Sequence, residues 1–114
     1  MVGVDERAPE PGGQSELRII ELPDRVGLEL VGAVDLSTRG DFERSLTPLV
    51  SRGTDVHLEM SRLVFCDVAA AAVLVTAADC LPPGRRLVLR QPPQTLRRAL
   101  ELFWPHVPTM EVAS

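Results

Sequence analysis

Residues 55–78 read Asp-Val-His-Leu-Glu-Met-Ser-Arg-Leu-Val-Phe-Cys-Asp-Val-Ala-Ala-Ala-Ala-Val-Leu-Val-Thr-Ala-Ala, and a change of period inside this stretch decides the fold class. Val56, Leu58 and Met60 alternate with polar neighbours, the period of two that marks a strand with one buried face. Leu63, Val64 and Phe65 follow after Ser61 and Arg62. Beyond Asp67 the alternation stops and nearly every residue is apolar. Four successive alanines, Ala69 to Ala72, favour helix over strand. A helix apolar on every side is predicted to be buried, with small side chains letting its backbone approach a sheet. Asp67 stands at the natural N-cap of that helix.

Upstream, Leu17, Ile19 and Ile20 suggest a first strand, and Pro23-Asp24 a turn. Val26, Leu28 and Leu30 alternate with Gly27 and Glu29, a second strand; the short connection favours an antiparallel hairpin. Gly32 to Asp35 leads into a loop. Thr38 with Asp41 three residues on has the spacing of a capping box. Phe42, Leu46, Leu49 and Val50 then share one helical face. Pro48 is expected to kink or shorten this helix, and Arg52-Gly53 to close it.

Downstream, Leu81-Pro-Pro-Gly is a turn. Arg86 to Arg90 reads as a fourth strand, stopped by Gln91-Pro-Pro. Leu96, Ala99, Leu100 and Phe103 give a final amphipathic helix that ends at Trp104-Pro105. Residues 107–112 form a candidate last strand. The order β-β-α-β-α-β-α, with that optional β, implies an α/β fold: a mixed sheet flanked by helices. Residues 1–15 hold two prolines and three glycines with little to bury, and are expected to be a disordered tail before one domain over 16–114.

Composition bounds the function. The chain has 114 residues, 45% apolar and 25% charged, enough for one domain with its own core. Net charge is −4 with a pI near 5.1, which does not suit nucleic-acid binding through bulk electrostatics. All 12 basic residues are Arg. Five of them, Arg85, Arg86, Arg90, Arg97 and Arg98, fall in the last third and form either a basic patch or a solvated face. Cys66 and Cys80 lack metal-ligand spacing and read as buried free thiols in a reducing cytosol. No charged start leads into an apolar run, and no apolar run reaches the roughly 18 residues of a membrane span. A cytoplasmic protein without membrane insertion is expected.

The common catalytic and nucleotide-binding motifs are absent from the sequence. His57 sits at strand spacing opposite Val56 and Leu58, and His106 follows Trp104-Pro105 in a loop. Neither has a paired carboxylate and nucleophile, so no catalytic residue, cofactor or metal is assigned. Phe42, Phe65 and Phe103 mostly occupy core positions. Trp104 has two readings, core packing or an exposed anchor beside Arg.

Several phrases, taken in order, resemble the STAS family of anti-sigma-factor antagonists. Val31-Gly-Ala-Val-Asp-Leu-Ser-Thr38 is similar to that family's turn after the second strand. His57-Leu-Glu-Met-Ser-Arg-Leu-Val-Phe-Cys-Asp67 is similar to its segment running from the third strand into a helix. Gly84-Arg-Arg-Leu-Val-Leu-Arg90 and the helix from Leu96 to Phe103 resemble its C-terminal third. The resemblance spans about residues 17–112. It implies four or five strands with about three to four helices, packed largely on one face. It also implies binding instead of catalysis: docking onto an anti-sigma factor of the GHKL serine-kinase type, which frees a sigma factor for transcription. The implied docking surface is Asp35, Ser37 and Thr38 with Asp67, Val68, Ala69, Ala70 and Ala71. Similar domains also serve as accessory subunits of ABC-type lipid transporters and as parts of stress-signalling scaffolds. A homodimer is left open.

The resemblance fails at one informative place. In the family pattern the aspartate at position 67 is followed by Ser or Thr, the phosphoacceptor, and soon by Gly. Here Val68 and Ala69 follow, neither of which can be phosphorylated, and Ala70 stands where Gly is usual. Glu59 replaces an expected aspartate on the third strand. A phosphate would add nearly two negative charges at an interface, and this chain has lost the usual place to put them. Ser37 and Thr38 are the nearby hydroxyls. Read only as structure, Asp67 is a helix cap, Asp35 a turn residue and Val68 core packing.

Overall fold

The computed structural model describes residues 16–114; the expected tail over residues 1–15 lies outside them. Eight elements follow in the order β1 (Leu17–Glu21), β2 (Gly27–Val34), α1 (Arg39–Val50), β3 (Val56–Cys66), α2 (Val68–Asp79), β4 (Leu87–Arg90), α3 (Gln94–Phe103) and β5 (Met110–Ala113). The optional last strand is present, and the helices among the described residues number three. The strands form one sheet in the order β1-β2-β3-β4-β5. β1 pairs antiparallel with β2, and each later neighbour is parallel. Each parallel step needs a crossover, and a helix supplies it.

The period-two reading of β3 holds through its first half. Val56, Leu58 and Met60 are buried while His57 and Glu59 are only partly covered. Leu28 and Leu30 of β2 and Leu87 and Leu89 of β4 join them. Onto this face pack Phe42, Leu46, Leu49 and Val50 of α1, Ala70, Ala71, Leu74, Val75 and Ala78 of α2, and Leu96, Ala99 and Leu100 of α3. These residues form one contiguous core.

Several expectations are corrected. α2 is not buried on all sides: Val68, Ala69 and Thr76 are exposed, because a single helical layer covers the sheet and leaves the outer side of α2 uncovered. Of the two effects expected of Pro48, shortening does not occur, since α1 continues past it to Val50. The proline sits in the final turns, where Thr47 Oγ1 donates to the Glu43 carbonyl at 2.9 Å and Ser51 Oγ to the Thr47 carbonyl at 3.0 Å. Closure comes at Gly53, whose φ of +73° suits a residue without a side chain. Cys80 is exposed, not buried; it lies just past α2, and Leu81 turns inward in its place. Phe103 is also exposed, and Trp104 is the aromatic that packs against the core.

Three of the Arg residues of the last third have separate neighbours. Arg86 donates to the Pro108 carbonyl at 3.0 Å and lies 3.8 Å from Glu111, while Arg97 donates to the Pro92 carbonyl at 3.3 Å. Arg90 is carried by β4 opposite Glu59 of β3. No helix among the described residues is long and apolar enough to cross a membrane.

Candidate functional site

The second half of β3 departs from regular pairing. Glu29 pairs with Glu59, but Val31 pairs with Arg62; Gly32 pairs with Leu63, but Ala33 pairs with Phe65. β3 therefore carries one extra residue at each of two places. Bulges of this kind bend a strand and re-aim its side chains. Here Val64 falls outside the paired set and is 76% exposed. Phe65, expected in the core, is exposed as well. On the partner strand Gly32 has φ +118°, and a Cβ there would lie 2.2 Å from the Glu16 carbonyl oxygen. Only glycine fits that position without moving the backbone.

β2 and β3 deliver two turns to the same end of the sheet. The Asp67 amide donates to the Val34 carbonyl at 3.1 Å, which locks the turns together. In the first turn, Asp35 Oδ1 accepts from the Ser37 amide at 2.9 Å and from the Ser37 hydroxyl at 2.8 Å. The Asp35 carbonyl accepts from the amides of Thr38 and Arg39. Thr38 does not form the expected capping box. Its hydroxyl donates to the Ala33 carbonyl at 2.8 Å and accepts from the Asp35 amide at 3.0 Å. With φ −116° and ψ −8° it lacks the extended backbone of a side-chain cap, and Asp41 pairs with Arg44 instead. Thr38 is 6% exposed. Its hydroxyl holds the loop together and is shielded, whereas Ser37 is exposed.

In the second turn Asp67 caps α2 as its sequence position foretells. Its backbone is extended, and Oδ1 accepts from the Ala70 amide at 2.8 Å. Its other oxygen, Oδ2, lies 4.0 Å from Arg39 Nη1, both side chains being partly covered. Arg39 thus links the start of α1 to the cap of α2. The sequence reading passed over it, because nothing in a linear chain places position 39 beside position 67. A second link comes from α3, where Thr95 Oγ1 accepts from the Cys66 amide at 3.3 Å. Burial, reinforced by the Asp67 charge, pushes the Cys66 thiol up to about 12. It stays protonated and unreactive at neutral pH.

Val68 does not pack in the core. It is 49% exposed at the first helical position, and Ala69 beside it is exposed, while Ala70 and Ala71 are buried. Of the eight residues assigned to docking, Asp35, Ser37, Thr38, Asp67, Val68 and Ala69 therefore frame the two turns. Ala70 and Ala71 support the helix from beneath. Leu36, within the first turn, is 79% exposed. Leu36, Val64, Phe65 and Val68 give this end of the sheet an apolar character around the Asp35 and Asp67 carboxylates. Single exposed apolar residues are ordinary on a protein surface, and these four lie towards one end of the sheet. Nothing here resembles a catalytic arrangement of nucleophile and base, and no group of His, Cys, Asp and Glu among the described residues could hold a metal.

The model of the family described as "Mlab, STAS domain" matches residues 18–103. No curated protein matches the sequence. Among solved structures, that of the anti-sigma factor antagonist SpoIIAA in its unphosphorylated form is similar, with a TM-score of 0.63 and 19% sequence identity; the match covers 87% of this chain and 89% of that one. A likeness at this identity speaks for the fold.

Proposed function

The chain belongs to the STAS domain family, and from that premise we propose that it is a non-enzymatic regulatory module that binds a protein partner through the two turns around Asp67. The partner class is an anti-sigma factor of the GHKL serine-kinase type, and binding frees a sigma factor. The binding is not switched by phosphorylation at position 68. The observation that carries this reading is the exposed Val68 at the capped start of α2, with Leu36, Val64 and Phe65 exposed at the same end. An apolar side chain kept at the surface, where a switched relative needs a hydroxyl, suits a contact made in one state only. Desolvating such side chains drives association, and a phosphate among them would oppose it.

Asp67 has two roles in this reading. It fixes the first turn of α2, and it offers the partner one partly covered carboxylate. Ser37 is the accessible hydroxyl of the site, but it is engaged with Asp35. Modification there would break the turn that presents Leu36.

A second reading has its own support. The missing acceptor is no handicap to a permanently assembled subunit, such as the accessory subunit of an ABC-type lipid transporter or part of a signalling scaffold. One experiment separates the two. Wild-type protein and the Asp67→Arg variant are used to capture partners from native lysate, with mass spectrometry as readout. Arginine places a cation at a helix N-terminus, where the dipole opposes it. Capture of a GHKL-type kinase by wild type and not by the variant supports the first reading. Capture of a transporter ATPase supports the second. Identical partners on both proteins refute the docking surface.

A further inference from the structure

A different surface, away from the two turns, has the properties of a self-association interface. Between α3 and β5 lies a groove of about 550 Å³, bordered by Arg97, Leu100, Glu101, Trp104, Met110 and Val112. Next to its Trp104 wall stands Phe103, 59% exposed, and Val112 is exposed on the groove itself. Phe103 is held edge-on to Trp104 at a ring separation of 5.9 Å, so a rigid apolar projection stands next to an apolar recess.

β5 closes one side of the sheet, pairing only with β4. The Leu87 amide donates to the Thr109 carbonyl and the Gln91 amide to the Ala113 carbonyl. Odd-numbered residues of β5 therefore face β4, and the N–H and C=O of Val112 point away from the sheet. The Val112 backbone groups therefore lie on an open sheet edge that a second strand could pair.

The charges select the occupant. Arg97 and Glu101 are one turn apart on α3, both on the groove. They form no ion pair with each other, and the order of Arg before Glu is the weaker one within a helix. Across a two-fold axis that sets the two α3 helices antiparallel, Arg97 of one copy would meet Glu101 of the other, twice. A recess, a projection and opposite charges on a single face make it self-complementary, the requirement for an isologous interface.

We propose that the α3–β5 face pairs with a second copy of this chain, forming a two-fold dimer whose two docking ends around Asp67 remain free. Sedimentation equilibrium of the full chain, from about 1 μM to about 500 μM, tests it. A monomer–dimer equilibrium is expected for wild type, and a monomer throughout overturns the proposal, leaving the groove to some other occupant. Phe103→Asp is expected to weaken association at least about tenfold without lowering the melting temperature, since Phe103 is exposed. Unchanged association of this variant overturns the proposal. Arg97→Glu and Glu101→Arg place like charges opposite each other, and each alone is expected to weaken the dimer. An equimolar mixture restores both pairs and is expected to recover association. Failure of two folded single variants to recover on mixing also overturns the two-fold arrangement.

Discussion

The two halves of β3 use the same kinds of residue to opposite ends. From Val56 to Met60 the apolar side chains turn inward, every second residue, between β2 on one side and β4 on the other. From Ser61 to Cys66 two extra residues break the pairing, and Val64 and Phe65 turn outward. Apolar content alone therefore does not say what a segment is for. The first half obtains its stabilisation from burial within the molecule. The second half buries Leu63 and Cys66 but leaves Val64 and Phe65 in water.

Substitutions placed along the strand and its continuation can break or sharpen this contrast. The largest effect is expected for Leu58→Ala, in the fully buried half. It should lower unfolding free energy by about 2–5 kcal/mol in urea titrations, since the site cannot collapse around the missing atoms. Asp67→Ala, at the junction with α2, is expected to cost about 1 kcal/mol through the lost bond from the Ala70 amide, read from the same titrations. Asp67→Asn keeps an acceptor for that amide and should recover most of the loss, which separates the cap from the charge.

His57 provides a smaller, pH-dependent comparison. Burial, then the nearby Arg25 and Arg90 guanidiniums, lower its pKa below the ordinary 6.5. Its Nδ1 is shut away from solvent without a hydrogen-bond partner, and the residue as a whole is partly covered. The unfolded chain then takes up a proton more readily than the folded one. The contribution is complete above pH 6.5 and is lost as pH falls below it. His57→Gln should flatten the stability profile between pH 7 and pH 5, measured by thermal melts. The smallest effect on stability is expected for Val64→Ser, within about 0.5 kcal/mol. If it instead destabilised the fold as Leu58→Ala does, the contrast between the halves of β3 would be wrong. An unchanged fold with weakened partner capture would sharpen it.

Much of this architecture was legible in the chain. Alternation in Val56 to Met60 and the four alanines after Asp67 gave a strand leading into a helix, and the cap at Asp67 formed where its position foretold. The misses share a cause. A bulge changes no residue, so nothing in Leu63-Val64-Phe65 announced that two of the three would face solvent. Thr38 and Asp41 have capping-box spacing, yet the Thr38 hydroxyl found the Ala33 carbonyl, a partner set by the return of the chain. Arg39 could be placed beside Asp67 only once β2 and β3 lay side by side. The α2 sequence described a helix without polar residues, but not how many layers would surround it.

The unequal lengths of β3 and β4 carry a last consequence. Four residues of β4 pair with Val56 to Glu59, while β3 runs seven residues further with β2 as its only strand neighbour. Amide protection against deuterium should therefore fall along a single strand. The Val56 to Glu59 segment would open only with the whole domain, and the Ser61 to Phe65 segment through local fluctuations of far lower free energy. A partner that clamps the outer segment would slow its exchange without touching the inner one, so a time course of deuterium uptake along this strand would test the proposed contact residue by residue.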